Sequence, residues 1–395
     1  MPVTPLNVTA YTAVCAAGGG RAALYEALRA RRSALKPNDF TPEPLATWIG
    51  RVVGLEQQPL PPHLSTWECR NNRLAWRGLR QDGFLEHVAR VRERHGAARV
   101  ALVLGTSTAS IGATEEAYRR LEPEGRFPPD LRRESVHSPH SLGGFVQRAL
   151  ELEGMCATVA TACSSSAKVF AHAERLLRLG LADAAVVGGT DSLCGSILYG
   201  FNSLELLSGE PCRPFDEARS GISLGEAAGF ALLERSGAGP WLLGHGESSD
   251  AHHMSAPHPQ GLGARLALKQ ALASAGLEAG AIDYINLHGT ASRKNDEIEA
   301  GVIAELFPAR TRASSTKGWM GHTLGAAGIV EAVITLLALE HGFVPGTLNC
   351  DRLDPACGPQ LRRENEDLRL ELALSNSFGF GGSNCVLLFG RERPH

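Results

Sequence analysis

Cys163 lies where the sequence best suits nucleophilic chemistry. An apolar, strand-like run meets a helix-like run there with almost no loop between them, in the segment 155–170 (Met-Cys-Ala-Thr-Val-Ala-Thr-Ala-Cys-Ser-Ser-Ser-Ala-Lys-Val-Phe). Free backbone N–H groups and the positive end of the helix dipole favour thiolate over thiol at a helix start. The position therefore predicts a cysteine with a lowered pKa that can form a covalent intermediate.

Three further segments carry residues that would complete such a site. They are 286–290 (Asn-Leu-His-Gly-Thr), 315–325 (Ser-Thr-Lys-Gly-Trp-Met-Gly-His-Thr-Leu-Gly) and 376–384 (Asn-Ser-Phe-Gly-Phe-Gly-Gly-Ser-Asn). They supply His288, Lys317, His322 and a glycine-rich loop whose backbone can approach a substrate closely. Together with the cysteine, these residue types predict an acyl-transfer site.

These segments, together with 212–221 (Cys-Arg-Pro-Phe-Asp-Glu-Ala-Arg-Ser-Gly) and 225–229 (Gly-Glu-Ala-Ala-Gly), resemble the β-ketoacyl-acyl carrier protein synthases of the thiolase superfamily. The resemblance covers nearly the whole chain. It implies a decarboxylative Claisen condensation of an acyl-cysteine with malonyl-acyl carrier protein, in fatty acid or polyketide biosynthesis. It also implies that the enzyme binds no cofactor, because the substrates arrive on the phosphopantetheine of the acyl carrier protein.

The resemblance assigns roles to the residues at the reaction centre. Cys163 is the nucleophile, and the backbone N–H groups of Cys163 and Phe380 form the oxyanion hole. His288 and His322 hold the enolate oxygen that malonyl decarboxylation creates. Lys317 orients and polarises the site. We also expect no metal, because the histidines do not form a short-spaced ligand set.

Further positions follow from the same resemblance. Asp296 and Glu299 are expected to pair with Lys317, since a buried lysine without an acidic partner tends to lose its proton. Phe378 and Phe380 flank the reaction centre, one shielding the cysteine and the other acting as a gate to the acyl pocket.

Thr290 and Ser292 are the expected contacts of the phosphopantetheine arm. The family usually reads His-Gly-Thr-Gly-Thr here, whereas this chain reads His-Gly-Thr-Ala-Ser over 288–292. Serine keeps the hydroxyl group of the second threonine. We therefore expect the arm to bind, with altered packing around Ala291.

An acidic carrier needs a basic docking surface. One helical face carries arginines at three- and four-residue spacing, of which the first two fall near docking positions of relatives: Arg70, Arg73, Arg77 and Arg80. A second basic patch is an equal candidate: Arg119, Arg120, Arg132 and Arg133.

Several other functions remain open at this stage. A noncatalytic chain-length factor, which pairs with a ketosynthase, usually lacks the cysteine that this chain retains. A thiolase-like acyltransferase that uses coenzyme A esters usually replaces one histidine, and a papain-like hydrolase needs a cysteine, histidine and asparagine relay. A scaffold that binds acyl carriers without turnover is also possible. The motifs are closest to ketosynthases of aryl-polyene and related type II polyketide clusters.

Amino-acid composition limits the class of protein and the cellular compartment that we expect. The chain has 395 residues, 43% of them hydrophobic and 21% charged, as in ordinary globular proteins. Its net charge of −3 does not favour nucleic acid, and the sequence predicts neither membrane insertion nor a secretory signal. Nine cysteines without a Cys-x-x-Cys pair indicate a reducing compartment, so we expect a cytoplasmic enzyme.

Short apolar runs alternate with helix-like runs, which is typical of an α/β fold. Strands are predicted at 100–104, 184–187, 228–233, 282–287 and 385–389, and a helix from Ser164 to a stop at Gly180. The resemblance implies a thiolase-like fold of two similar α/β halves in a five-layered α-β-α-β-α arrangement. We place the halves at 1–239 and 240–395, and expect a homodimer or a heterodimer with a chain-length-factor-like relative.

Overall fold

The computed structural model describes residues 3–393. Its strands are β1 (Leu6–Cys15), β2 (Gly18–Gly19), β3 (Lys36–Pro37), β4 (Trp48–Gly50), β5 (Val100–Gly105), β6 (Cys156–Val159), β7 (Ala184–Asp191), β8 (Leu224–Gly225), β9 (Ala227–Glu234), β10 (Trp241–Ser249), β11 (Tyr284–Asn286), β12 (Arg312–Ser314), β13 (Phe343–Val344), β14 (Glu366–Asp367), β15 (Leu372–Gly379) and β16 (Ser383–Gly390). Four of the predicted strands lie within β5, β7, β9 and β16, and the fifth, 282–287, contains the shorter β11.

The α-helices are α1 (Arg21–Arg29), α2 (Arg70–Leu79), α3 (Phe84–His95), α4 (Ile111–Arg119), α5 (Ser141–Ala149), α6 (Ser165–Arg178), α7 (Gly195–Ser203), α8 (Leu262–Ala275), α9 (Arg293–Leu306), α10 (Lys317–Met320) and α11 (Ala327–His341). The helix predicted after Cys163 is α6, and Gly180 follows its end with a left-handed φ of 70°.

The main sheet repeats one topology twice. Its strand order is β12-β11-β15-β16-β10-β1-β9-β7-β5-β6. In the first half β1, β9 and β7 are antiparallel neighbours and β7, β5 and β6 are parallel. In the second half β10, β16 and β15 are antiparallel neighbours and β15, β11 and β12 are parallel. The duplication implied by the family resemblance is thus visible in the connectivity.

The two half-sheets meet at a narrow seam. Strands β1 and β10 pair only at Leu6 with Leu242 and at Asn7 with Trp241. The boundary that the sequence analysis places between residues 239 and 240 falls in the connection between β9 and β10. Because so few residues join the half-sheets through hydrogen bonds, packing of helices between them must supply most of their mutual contact.

Helices α6 and α11 form that central layer. Helix α6 packs on β5 and β7 and also reaches β10 and β16, whereas α11 packs on both β9 and β15. Helices α2 and α5 cover the outer face of the first half-sheet, and α8 covers that of the second. The result is the five-layered α-β-α-β-α arrangement. Leu324–His341 is long and apolar enough to cross a membrane, but 89% of it is buried in the fold, as befits a core helix.

The catalytic candidates all lie at the carboxyl ends of parallel strands. Cys163 follows β6, His288 follows β11, Lys317 and His322 follow β12, and Phe380 follows β15. Loops at the carboxyl ends of parallel strands are the usual place for binding sites in α/β proteins. Stacking the two half-sheets around α6 and α11 brings the loops of both halves to one point.

Gly105 at the end of β5 allows α6 to begin close to the sheet. A Cβ atom at Gly105 would lie 2.3 Å from the backbone nitrogen of Ser166. This contact is too short for any side chain, so the start of α6, two residues beyond Cys163, depends on a glycine at this position.

We predict that Gly105→Ala lowers the free energy of unfolding by about 1–3 kcal/mol, because the added methyl group must push α6 away from β5. Thermal and denaturant unfolding measure the effect. The matched control is Gly301→Ala in the interior of α9, where no atom lies within 4 Å of the added Cβ. That change should stabilise the protein by roughly 1 kcal/mol through helix propensity. Equal stability of wild type and Gly105→Ala would contradict the packing argument.

Candidate active site

Cys163 lies in a tight turn before α6. The preceding Ala162 has a left-handed φ of 51°, and α6 begins at Ser165. The cysteine is 5% exposed, and its Sγ lies 2.9 Å from Nε2 of His322. The turn therefore places the sulfur beside an imidazole from the second half of the chain.

Burial opposes the thiolate that the sequence predicts. It raises the pKa of the Cys163 thiol to about 11, although the Lys317 charge and the backbone N–H of Phe380 act to lower it. The prediction of a lowered pKa is therefore wrong: desolvation outweighs the charge and the backbone donor beside the sulfur. The sulfur is a thiol at rest, and the nearby imidazole offers a place for its proton.

Two buried imidazoles face each other beside the sulfur. The rings of His288 and His322 are 5.4 Å apart and nearly perpendicular, at 88°. One side-chain ligand atom from each of Cys163, His288 and His322 lies within 4.8 Å of the others. Burial and the Lys317 charge hold the pKa of both histidines well below the usual value, so both rings are neutral. Neutral imidazoles can each donate one N–H to an oxygen.

Lys317 is held by a different acid from those predicted. Its Nζ donates to the carbonyl oxygen of His288 and to Oε1 of Glu331, and lies 3.5 Å from Nδ1 of His288. Neither Asp296 nor Glu299 contacts the lysine within the described part of the chain, so the predicted pairing is wrong. Glu331 lies on α11, and burial raises the pKa of its carboxyl to about 7.

Asp296 and Glu299 instead hold backbone N–H groups. Glu299 accepts hydrogen bonds from the N–H of His288 at 2.9 Å and of Gly289 at 2.8 Å. Asp296 accepts from the N–H of Ala291 at 3.2 Å and of Phe215 at 2.8 Å. Both carboxyls are buried on α9, so they fix the shape of the loop that carries His288.

The glycine-rich loop brings a backbone donor and an aromatic ring to the sulfur. The backbone N–H of Phe380 acts to lower the pKa of the Cys163 thiol, and left-handed φ values of 77° and 76° follow at Gly381 and Gly382. The Phe380 ring stacks on Phe201 at 5.5 Å. The Phe378 ring lies 5.9 Å from that of His288. Both phenylalanines therefore flank the reaction centre.

A cavity of about 390 Å³ connects the sulfur to the surface. Cys163, His288 and His322 line it, together with Thr290 and Ser292. The hydroxyl groups of the last two are 3.0 Å apart and thus offer a polar surface along the wall. Ala291 between them has a left-handed φ of 70°, which glycine would adopt more easily.

The first two arginines of the helical face proposed for carrier docking form ion pairs within the chain. Arg70 makes a bidentate ion pair with the fully buried Glu226, at 2.6 and 2.9 Å, and also pairs with Glu56. Arg73 pairs with Glu68. These arginines stabilise the fold, which removes the structural argument for carrier docking at Arg70 and Arg73.

All but one of the remaining docking candidates also contact carboxylates or carbonyl oxygens within the chain. Arg77 donates to the Val53 carbonyl and Arg133 to that of Glu68. Carboxylates lie beside the other three of the second patch: Arg119 with Glu115, Arg120 with Asp130 and Arg132 with Glu122. Arg80, directly after α2, is the exception: its side chain is exposed and makes no ion pair within residues 3–393.

Sequence reasoning missed two residues of the site. Glu331 is a single acid in the otherwise apolar run 327–339, and such an isolated charge in a core helix signals a buried partner. Phe201 lies on α7, 179 residues before the ring on which it stacks, and no local motif marks it.

We predict that alkylation of Cys163 by iodoacetamide accelerates steadily with pH from 7 to 10, because the reactive thiolate forms only near the raised pKa of about 11. Mass spectrometry of the modified peptide measures the rate. Lys317→Met should slow alkylation at each pH, since it removes a charge that lowers the thiol pKa. Cys163→Ala reports background labelling. An alkylation rate that stops rising below pH 7 would instead indicate the lowered thiol pKa that the sequence predicts.

Comparison with known proteins agrees with this geometry. The β-ketoacyl synthase N-terminal and C-terminal domain models match residues 71–238 and 241–351. Nodulation protein E of Rhizobium meliloti (strain 1021) is 31% identical over 97% of this chain and 98% of its own length. The mitochondrial 3-oxoacyl-[acyl-carrier-protein] synthase of Arabidopsis thaliana is 38% identical, over 70% of this chain and 63% of that protein.

Solved structures extend the likeness to the fold. The ketosynthase ApeO, in complex with its chain length factor ApeC from Xenorhabdus doucetiae, superposes with a TM-score of 0.90, at 36% identity over 98% of both chains. The ishigamide ketosynthase/chain length factor superposes with a TM-score of 0.86 at 27% identity, over 99% of this chain and 100% of that one. Members of this family use neither a metal nor a bound cofactor. The chain belongs to the β-ketoacyl synthase family.

Proposed function

We propose that this protein condenses an acyl group held on Cys163 with malonyl-acyl carrier protein, releasing CO₂ and a 3-ketoacyl-acyl carrier protein. The observation that carries the proposal is the placement of two neutral imidazoles and one cysteine sulfur, with ligand atoms within 4.8 Å of one another, at the buried end of a cavity open to the surface. A hydrolase needs one imidazole as a base, whereas an enolate oxygen is best held by two N–H donors.

In the first step the sulfur accepts the acyl group. As Sγ of Cys163 attacks the thioester carbonyl, its proton passes to Nε2 of His322, only 2.9 Å away. The tetrahedral oxyanion receives the N–H groups of Cys163 and Phe380. Collapse expels the pantetheine thiolate, which takes the proton back from His322, so the acyl-enzyme forms without net change of charge.

In the second step malonyl-acyl carrier protein loses its carboxylate as CO₂. The electron pair of the broken C–C bond becomes an enolate on the thioester oxygen. Lys317 donates towards Nδ1 of His288, which places the proton of that ring on Nε2, where it can bind the enolate. Once Cys163 is acylated, its sulfur has no proton to donate to Nε2 of His322. That nitrogen can therefore carry the ring proton and supply the second N–H donor to the enolate oxygen.

In the third step the enolate carbon attacks the acyl carbonyl on Cys163. The new C–C bond forms, the oxyanion again lies between the N–H groups of Cys163 and Phe380, and collapse expels the cysteine as a thiolate. That thiolate takes a proton from solvent. Thr290 and Ser292 bind the arm throughout, and the stacked rings of Phe380 and Phe201 act as the gate to the acyl pocket.

For the biological setting, we propose an aryl-polyene or related type II polyketide pathway in the cytoplasm. Support comes from the likeness to ApeO, whose structure contains its chain length factor. All nine cysteines are free, as suits a reducing compartment. Because this chain retains Cys163, Lys317 and both histidines, it is the catalytic member of a homodimer or of a pair with a chain-length-factor-like relative.

Condensation tests the proposal directly. With acyl- and malonyl-acyl carrier protein, the enzyme should release CO₂ and form a 3-ketoacyl product, alone or with a partner encoded beside it. Cys163→Ala should abolish product, because no acyl-enzyme can form. Cys357→Ser, at a half-buried cysteine outside the cavity, should retain activity. Free fatty acid as the main product would indicate a hydrolase, and neither product nor acyl-enzyme would indicate a scaffold.

The two half-reactions should respond differently to His288→Ala. We expect decarboxylation to fall by about 10²–10³-fold, because one donor to the enolate is lost. Acylation of Cys163, which uses His322, should change by less than tenfold. Intact-protein mass spectrometry measures acylation, and labelled CO₂ release from malonyl-acyl carrier protein measures decarboxylation. An equal loss in both half-reactions would contradict the separate role of His288.

A further inference from the structure

Two cations stand at the entrance of the active-site cavity. Arg293 and Lys294 form the first turn of α9, directly after Ser292, and both side chains are exposed and line the cavity that ends at Cys163. Neither position belongs to a motif from which the catalytic residues were predicted. They lie where a substrate arm enters, whereas the hydroxyl groups of Thr290 and Ser292 lie along its path inward.

Their charges are largely uncompensated. Within residues 3–393, Arg293 makes no ion pair, and Lys294 has only Glu297 at 3.7 Å, an exposed pair that contributes little. This contrasts with the arginines first expected to dock the carrier, all of which except Arg80 contact carboxylates or backbone carbonyls of the chain itself. Arg293 and Lys294 are therefore available to an external anion.

Two acids also line the cavity, the buried Asp250 and the exposed Glu205. Asp250 accepts hydrogen bonds from the N–H of His258 at 2.8 Å and from the side-chain amide of Asn384 at 2.7 Å. Glu205 follows α7, is exposed and has a left-handed φ of 56°. Any anion that enters is repelled by Glu205 and attracted by Arg293 and Lys294. The entrance thus directs negative charge towards the start of α9.

We propose that Arg293 and Lys294 bind the phosphodiester that joins the pantetheine arm to its carrier. This inference rests on the proposed function. The phosphodiester is the only charged group of the arm, and it must remain at the surface when the thioester end reaches Cys163. A guanidinium binds two phosphate oxygens at once, and an ammonium adds a point charge. Inside the cavity, Thr290 and Ser292 meet the uncharged part of the arm.

Acyl groups carried on pantetheine and on 4′-phosphopantetheine test the assignment, because the two carriers differ only in the phosphate. For wild type, we expect the KM of acylation to be about tenfold lower with the phosphorylated carrier, the size expected for a hydrogen bond to a charged group. Arg293→Ala with Lys294→Ala should abolish this preference and leave the KM for the pantetheine thioester unchanged. Glu205→Gln should lower the KM for the phosphorylated carrier by about twofold, by removing a repulsive charge.

Lys269→Ala, at an exposed lysine on the outer face of the second half, is the matched control and should keep the preference. If wild type shows no preference, or if the double variant retains it, the phosphate assignment is wrong. A variant that is impaired only with the intact carrier protein would also overturn it, because the contact would then be with the protein surface. Loss of acylation from the pantetheine thioester in wild type would instead reject the proposed function itself.

Discussion

The buried charge of Lys317 organises the catalytic centre. The ammonium group is nearly excluded from water and lies between the His288 carbonyl oxygen and the carboxylate of Glu331. A buried charge needs such partners, since an unpaired one would cost several kcal/mol. Glu331 comes from the central helix α11, whereas His288 comes from the loop after β11 and Lys317 from the short helix α10 after β12. This single cluster therefore ties the catalytic loops to the middle layer of the fold.

The same charge determines how the neighbouring groups titrate. It disfavours a second positive charge, which keeps both imidazoles neutral and able to act as N–H donors. It also favours a thiolate at Cys163, but burial opposes this more strongly and leaves the resting sulfur protonated. In the mechanism we propose, reactivity then depends on the proton acceptor at His322, whose Nε2 lies 2.9 Å from the sulfur.

Electrostatics divide the cavity into two regions. At the buried end, charge is scarce and compensated, and the donors are neutral N–H groups that suit an oxyanion or enolate. At the entrance, Arg293 and Lys294 are exposed and Glu205 adds an opposing charge. An acyl group on a phosphopantetheine arm matches this division, because the one permanent charge of the arm lies far from the thioester carbonyl.

The sequence by itself determined the local elements and the chemical groups. Buried apolar runs predicted β5, β7, β9, β11 and β16, because continuous hydrophobic stretches suit strands covered on both faces. The motifs around Cys163, His288, Lys317 and His322 indicated the family, since they carry specific residue types at specific spacings. The place of Cys163 after a strand-like run and of His288 after the predicted strand 282–287 also followed from the sequence, whereas β12 and β15, which precede Lys317 and Phe380, were not predicted.

Tertiary structure decided the partners and the environment of those groups. Glu331 rather than Asp296 or Glu299 holds Lys317, and Arg70 is drawn into a buried pair with Glu226, 156 residues away. The raised pKa of Cys163 and the charges at the cavity entrance likewise arise only when α6, α9 and the loops of both halves converge. Local sequence cannot encode these results, because desolvation and ion pairing depend on which distant segments exclude water from a group.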